Sequence, residues 1–119
     1  MNFYSLRISA PDEKTKDIAR ILGIEPNYDV GGWGLEIVDK DWRFDPSVID
    51  NFLSILEGKY DELNRIGISA DDISIWRLYE YGKNKECNME LHPELMLKMG
   101  SKGIIYCVSC WQKNSVIYL

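Results

Sequence analysis

Between Asp45 and Gly67 the chain reads DPSVIDNFLSILEGKYDELNRIG. Ile49, Phe52, Leu53, Leu56, Tyr60, Leu63 and Ile66 recur at steps of three and four, which lines them up along one side of a helix. Asp45 suits the N-cap and Pro46 the first helical position, where a missing N–H costs nothing. Gly67 supplies a left-handed stop. The spacing therefore predicts a helix over 46–66. Gly58, inside it, costs about 1 kcal/mol relative to alanine and marks a bend or a close approach. A stripe this long stays dry only against something flat and apolar, so a sheet must cover it.

The rest of the chain supplies that sheet. Residues 3–9 alternate, with Tyr4, Leu6 and Ile8 on one side, and read as a strand. Ser9 and Asp12 resemble a capping box, Pro11 fits a first turn, and Ile18, Ala19, Ile21 and Leu22 form the apolar side of a helix that Gly23 ends. WGLEIV at 33–38 reads as a short strand after a Gly31–Gly32 turn. Ile73–Tyr81 is a strand, GKNK a hairpin loop, and Cys87, Met89 and Leu91 alternate in a returning strand. HPELMLKMG is a helix. IIYCVSCW at 104–111 is so continuously apolar that it reads as a strand buried on both faces, and NSVIYL as a last edge strand or a frayed end. The expected fold is α/β (α+β) in two layers: a mixed, mostly antiparallel sheet of four or five strands with helices on one face. The order βαβαββαβ is consistent with a split or ferredoxin-like arrangement.

At 119 residues the chain is expected to form a single domain, 1–119, with enough core to need no disulfide or metal staple. MNFYSLRIS is not a signal peptide, and no apolar run reaches the roughly 20 residues of a membrane span. Three cysteines are an odd number for a secreted disulfide framework. A cytoplasmic address without membrane association is the expectation, and the oligomeric state is left open. The net charge of −5 disfavours nucleic acid as a partner. Its placement is more telling: residues 25–50 hold seven acids against two bases, a difference equal to the whole net charge, while the other twelve acids and twelve bases cancel. That stretch is either a solvated polar loop or an acidic contact surface for a basic partner. Trp33 and Trp42 fall within it, as anchors of a recognition surface or as packing over the sheet edge.

No arrangement of residues reads as a catalytic centre. Cys107 and Cys110 are three apart in a predicted strand, so their side chains point to opposite faces and read as structural. His92, beside Pro93, is a helix-start residue. GGWG precedes a strand instead of opening a helix and is a turn, not a dinucleotide fingerprint. Asp39/Asp41 and Asp71/Asp72 lack a cation-loop pattern and read as solvated turns. Arg7 and Arg77 interrupt apolar strand patterns, on an exposed face or paired with an acid such as Glu36 or Glu80; exposure is the simpler expectation.

Taken together, YSLRIS, ILGIEP, WGLEI, the long helix, the aromatic strand and LHPELMLKMG leading into IIYCVSCW resemble the bacterial family known as domain of unknown function 4279. The resemblance spans essentially the whole chain and rests on fold-forming motifs. It implies a small cytoplasmic bacterial protein without an enzymatic signature, and some members resemble immunity proteins that neutralise toxins. Joined to the acidic stretch, it leads to a non-enzymatic protein, with no cofactor or metal, that binds a basic toxin domain. Trp33, Asp39, Asp41, Trp42, Asp45 and Asp50 are the candidate contact residues. The rival expectations are a small-molecule-binding or enzymatic domain with a carboxylate and tyrosine cleft, and an oligomeric structural domain that pairs strand edges.

Overall fold

The computed structural model describes residues 1–82 and 88–113. Strands β1 (Asn2–Ser9), β2 (Gly32–Asp39), β3 (Ile73–Tyr81) and β4 (Ile105–Gln112) form one sheet in the order β2-β1-β3-β4. β1 is antiparallel to both neighbours, and β4 runs parallel to β3. The helices are α1 (Thr15–Leu22), α2 (Pro46–Leu56), α3 (Tyr60–Arg65) and α4 (Pro93–Ser101). This is the expected two-layer class with a mixed, mostly antiparallel sheet.

Register explains which face the helices cover. Tyr4, Leu6 and Ile8 lie opposite Ile37, Leu35 and Trp33 on one side and Arg77, Ile75 and Ile73 on the other. Side chains alternate along a strand, so these positions share a face. Tyr4, Leu6, Ile8, Trp33, Ile73 and Ile75 join Ile18, Ile49, Phe52, Leu56 and Leu63 from the helices in one buried cluster. The opposite face carries Phe3, Arg7, Trp76 and Leu78, all half-buried. There the Arg7 guanidinium lies 4.3 Å from the Trp76 ring centre, and Phe3 stacks on Trp111.

Four local expectations change. The helix over 46–66 is two helices. Asp45 caps the first as expected, accepting from the Ser47 N–H, and Pro46 begins it. Gly58 then takes φ 75°, and the chain restarts at Tyr60. A left-handed residue cannot continue a right-handed helix, so the glycine is a break and not a tolerated interior residue. The stripe still reaches the sheet: Ile49, Phe52, Leu53, Leu56 and Leu63 are buried.

At the first helix, Ser9 ends β1, and a 3-10 turn at Asp12–Lys14 leads into α1 without the expected capping box. The returning strand at 87–91 is also absent where it can be judged. Cys87 and most of the GKNK loop lie outside the described residues, and Asn88–His92 form no strand. The chain instead passes from β3 through α4 to β4, the crossover that a parallel pair requires.

β4 is the largest departure. It is an edge strand among the described residues, with Ile105 51% and Val108 41% exposed. Continuous apolarity signals burial on both faces only where a layer covers each of them, and Ile105 and Val108, which register puts on opposite faces, are both exposed. NSVIYL lies outside the described residues.

Gly32 is required for a different reason from Gly58. A Cβ there would run into the Ile8 carbonyl oxygen and the Ala10 nitrogen, so the close pairing of β2 with the end of β1 admits no side chain.

Gly58→Ala distinguishes the broken helix from a continuous one by its sign. A continuous helix would gain about 1 kcal/mol from the alanine. At φ 75° the alanine should instead lower stability by roughly 1–2 kcal/mol in urea denaturation.

Candidate functional site

The acidic stretch closes on a loop, residues 40–45, between the end of β2 and the start of α2. Two buried side chains from β1 hold it. The Asn2 amide donates to the carbonyl oxygens of Asp41 (2.8 Å) and Arg43 (3.0 Å), and the Tyr4 hydroxyl accepts from the Asp45 N–H at 2.9 Å. The loop's own carboxylates complete its turns. Asp39 accepts from the Asp41 N–H, and Asp41 accepts from the N–H and Nε of Arg43. These hydrogen bonds, with the Arg43 charge, hold the Asp41 carboxyl below the usual carboxylate range.

The expected contact residues separate into three groups. Asp39, Asp41, Trp42 and Asp45 come together on this loop and its two ends. Trp42 is 38% exposed. Asp50 sits further along α2 and turns toward α4, where Lys98 Nζ lies 2.9 Å from its carboxylate. The Asp50 carboxylate raises the Lys98 pKa, and the pair ties α2 to α4. Trp33 is no contact residue at all. It is fully buried on the helix face of β2, its indole N–H donating to the Ile24 carbonyl at 3.0 Å. Its strand register, not its acidic surroundings, decides its place.

A groove of about 350 Å³ lies beside the loop, lined by Trp42, Arg43, Phe44 and Pro46 on one side and by Asn88, Met89, Glu90 and His92 on the other. His92 is at the N-cap position of α4 as expected, though its side chain makes no capping bond. A second, smaller groove between α2 and α4 contains the Asp50–Lys98 pair. Among the described residues no cluster of three or more His, Cys, Asp or Glu is arranged to hold a metal ion. Cys107 and Cys110 stand at register positions opposite Trp76 and Tyr79, hence on opposite faces of β4. Asp72 is a turn residue whose carboxylate accepts from the Ser69 N–H.

Arg77 is the residue that sequence reasoning misplaced. It is not exposed, and no acid pairs with it among the described residues. It lies at 1% exposure on the helix face of β3, opposite Tyr4. Its Nε donates to Asn2 Oδ1 at 2.8 Å, and its guanidinium carbon lies 5.0 Å from the Phe44 ring centre and 4.9 Å from that of Tyr79. Nη1 and Nη2 are buried with no hydrogen-bond partner among the described residues. The sequence signal was the face itself: Arg77 shares the parity of Ile73, Ile75 and Tyr79. Tyr106 completes the cluster from β4. Its hydroxyl reaches only the Met89 sulfur, at 3.1 Å, and burial pushes its pKa far up.

No family model matches the chain, and neither a curated protein nor a solved structure matches it. Among the described residues, no helix is long and apolar enough to cross a membrane.

Two measurements follow from this geometry. Asn2→Ala removes two of the three loop tethers and the one hydrogen bond that a buried cation makes among the described residues, so stability should fall by roughly 2–4 kcal/mol in urea. The tyrosines give a pH signature. With pKa values raised above 10, Tyr4 and Tyr106 hold more protons folded than unfolded at alkaline pH. Their contribution is whole below pH 10 and is lost as pH rises from there through the folded values. Tyr106→Phe should therefore flatten the alkaline decline in melting temperature.

Proposed function

We propose that this chain is a non-enzymatic immunity-type protein of the bacterial cytoplasm, and that it neutralises a basic toxin domain by binding it through the 39–45 loop. The observation that carries this reading is the anchoring of that loop. Three carboxylates, Asp39, Asp41 and Asp45, surround a partly exposed Trp42 on backbone that buried Asn2 and Tyr4 tie to the central strand. A surface fixed before contact loses little conformational entropy on binding. Aromatic anchors supply affinity, and surrounding charges speed the encounter. The family resemblance and the concentration of the net charge in residues 25–50 support the same reading. A toxin that acts on nucleic acid needs a basic face, which an acidic inhibitor can occupy.

In this reading Asp50 and Trp33 play no part in contact. Asp50 serves the α2–α4 interface, and Trp33 serves the core.

A second reading, a domain that assembles through strand edges, is favoured by one observation. β4 presents eight residues, IYCVSCWQ, with no charge to discourage pairing. Sedimentation over a wide concentration range separates the two, because the immunity reading requires no self-association.

The test is to look for a toxin domain encoded in the neighbouring gene and to measure binding to it. Charge reversal at Asp39 and Asp41 together should slow association about tenfold or more at low salt and flatten its salt dependence. Trp42→Ala should act mainly on dissociation, while Asp50→Asn should change neither rate. Unchanged kinetics in the double reversal would remove the loop from the interface. Growth unprotected by co-expression would remove the function.

A further inference from the structure

The Arg77 cluster is rich in hydrogen-bond donors and poor in acceptors. Among the described residues, only Nε of the guanidinium has a partner; Nη1 and Nη2 have none. The Tyr106 hydroxyl gives its proton to a thioether, a weak acceptor that a carboxylate would readily replace. The Tyr4 hydroxyl accepts from Asp45, and its own proton has no acceptor among the described residues. These groups stand together. Tyr4 is directly opposite Arg77 in the sheet, Tyr106 is opposite Ile75 on the adjoining strand, and the Arg77 charge acts on both hydroxyls. Both tyrosines are protonated, and so donors, at neutral pH, as a phenol that ionises near pH 10 must be.

An isolated buried cation is expensive, and removing a charge from water without a partner is rarely left uncompensated. Two aromatic faces and one amide oxygen offset only part of that cost. What the cluster lacks is an anion with two acceptor atoms, the shape that a guanidinium fork fits.

Two side chains separate the groove beside the loop from it. Phe44 and Met89 line that groove, and the same two side chains cover the donors: Arg77 lies against the Phe44 ring, and Tyr106 bonds the Met89 sulfur. Both are single side chains that can rotate aside, one of them a flexible methionine. Trp42, Phe44, Pro46 and Met89 make much of the groove wall apolar, which selects a ligand with an apolar body. Arg43, Glu90 and His92 lie at the exposed rim, where water screens them; Arg77 is buried, where it does not.

We propose that this groove is a binding site for a small carboxylate with a flat apolar body, its carboxylate held by Arg77 and Tyr106 and its body between Phe44, Met89 and Trp42. This goes beyond the toxin-binding reading and does not depend on it. Occupancy also reaches the acidic loop, because Asn2 joins Arg77 to the Asp41 and Arg43 carbonyls.

Benzoate is the probe, and benzamide, the same shape without the charge, is the control. Titration followed by amide NMR on the full chain should shift Phe44, Met89 and Tyr106 with benzoate and leave them in place with benzamide. Acetate should bind at least tenfold more weakly than benzoate. Arg77→Met should abolish the response. Should that variant not fold, Tyr106→Phe carries the test, with affinity reduced about tenfold, while Asp50→Asn in the other groove binds as the parent does. Equal binding of benzoate and benzamide, unaltered affinity in Tyr106→Phe, or shifts confined to residues outside the groove would each overturn the proposal.

Discussion

A single amide, the side chain of Asn2, joins the two parts of this molecule that carry charge. Its oxygen is the only hydrogen-bond partner of a buried arginine among the described residues, and its nitrogen holds two carbonyls of the acidic loop. An asparagine can do both because its oxygen accepts while its NH2 donates twice. Aspartate in its place would satisfy Arg77 better but would have no protons for the loop. The choice of a neutral amide therefore leaves the cation short of a counter-charge and keeps the loop in place. The buried donors behind Phe44 and the fixed rim around Trp42 are two consequences of one residue's chemistry.

The position of β1 makes this possible. It is the strand with antiparallel neighbours on both sides, and its helix-face residues Asn2, Tyr4, Leu6 and Ile8 are all buried. Leu6 and Ile8 serve the core under the helices. Asn2 and Tyr4, at the other end of the same face, spend their polar atoms on the chain that leaves β2 for α2. One strand thus supplies both the packing and the tethering of the candidate surface.

Much of the fold was legible because its signals are local. Alternation in 3–9 and 73–81, the Asp45–Pro46 start of α2 and the Gly23 stop of α1 each depend on a few neighbouring residues, and each stands in the structure. What failed depends on partners distant in sequence. Gly58 reads equally as a weak helical residue or a break, and only the path back to β3 decides between them. The apolar run of β4 suggests two covered faces, but burial is set by what lies alongside, and β4 lies at the edge. Trp33 and Trp42 have similar acidic surroundings, yet strand register buries one and the loop exposes the other. Arg77 shows the limit most sharply. Its parity placed it with Ile73 and Ile75, but a charge on a buried face contradicts the usual preference of arginine for water. Following the pattern instead of the preference would have found it.

The electrostatics of the surface follow from that burial. Asp39 and Asp45 act on Tyr4, and so does Arg77, with the opposite sign. The acidic loop therefore stands above a cation that water does not screen. Within the loop, the Asp41, Arg43 and Ser47 N–H groups and Arg43 Nε donate to the carboxylates of Asp39, Asp41 and Asp45, which lets three acids share a few residues of chain. Lys98 beside Asp50 offsets part of the same stretch, so the outward field is weaker than seven acids against two bases suggest. Any basic partner would feel that difference. Close contact, through Trp42 and the rim around it, then has to supply what long-range attraction does not.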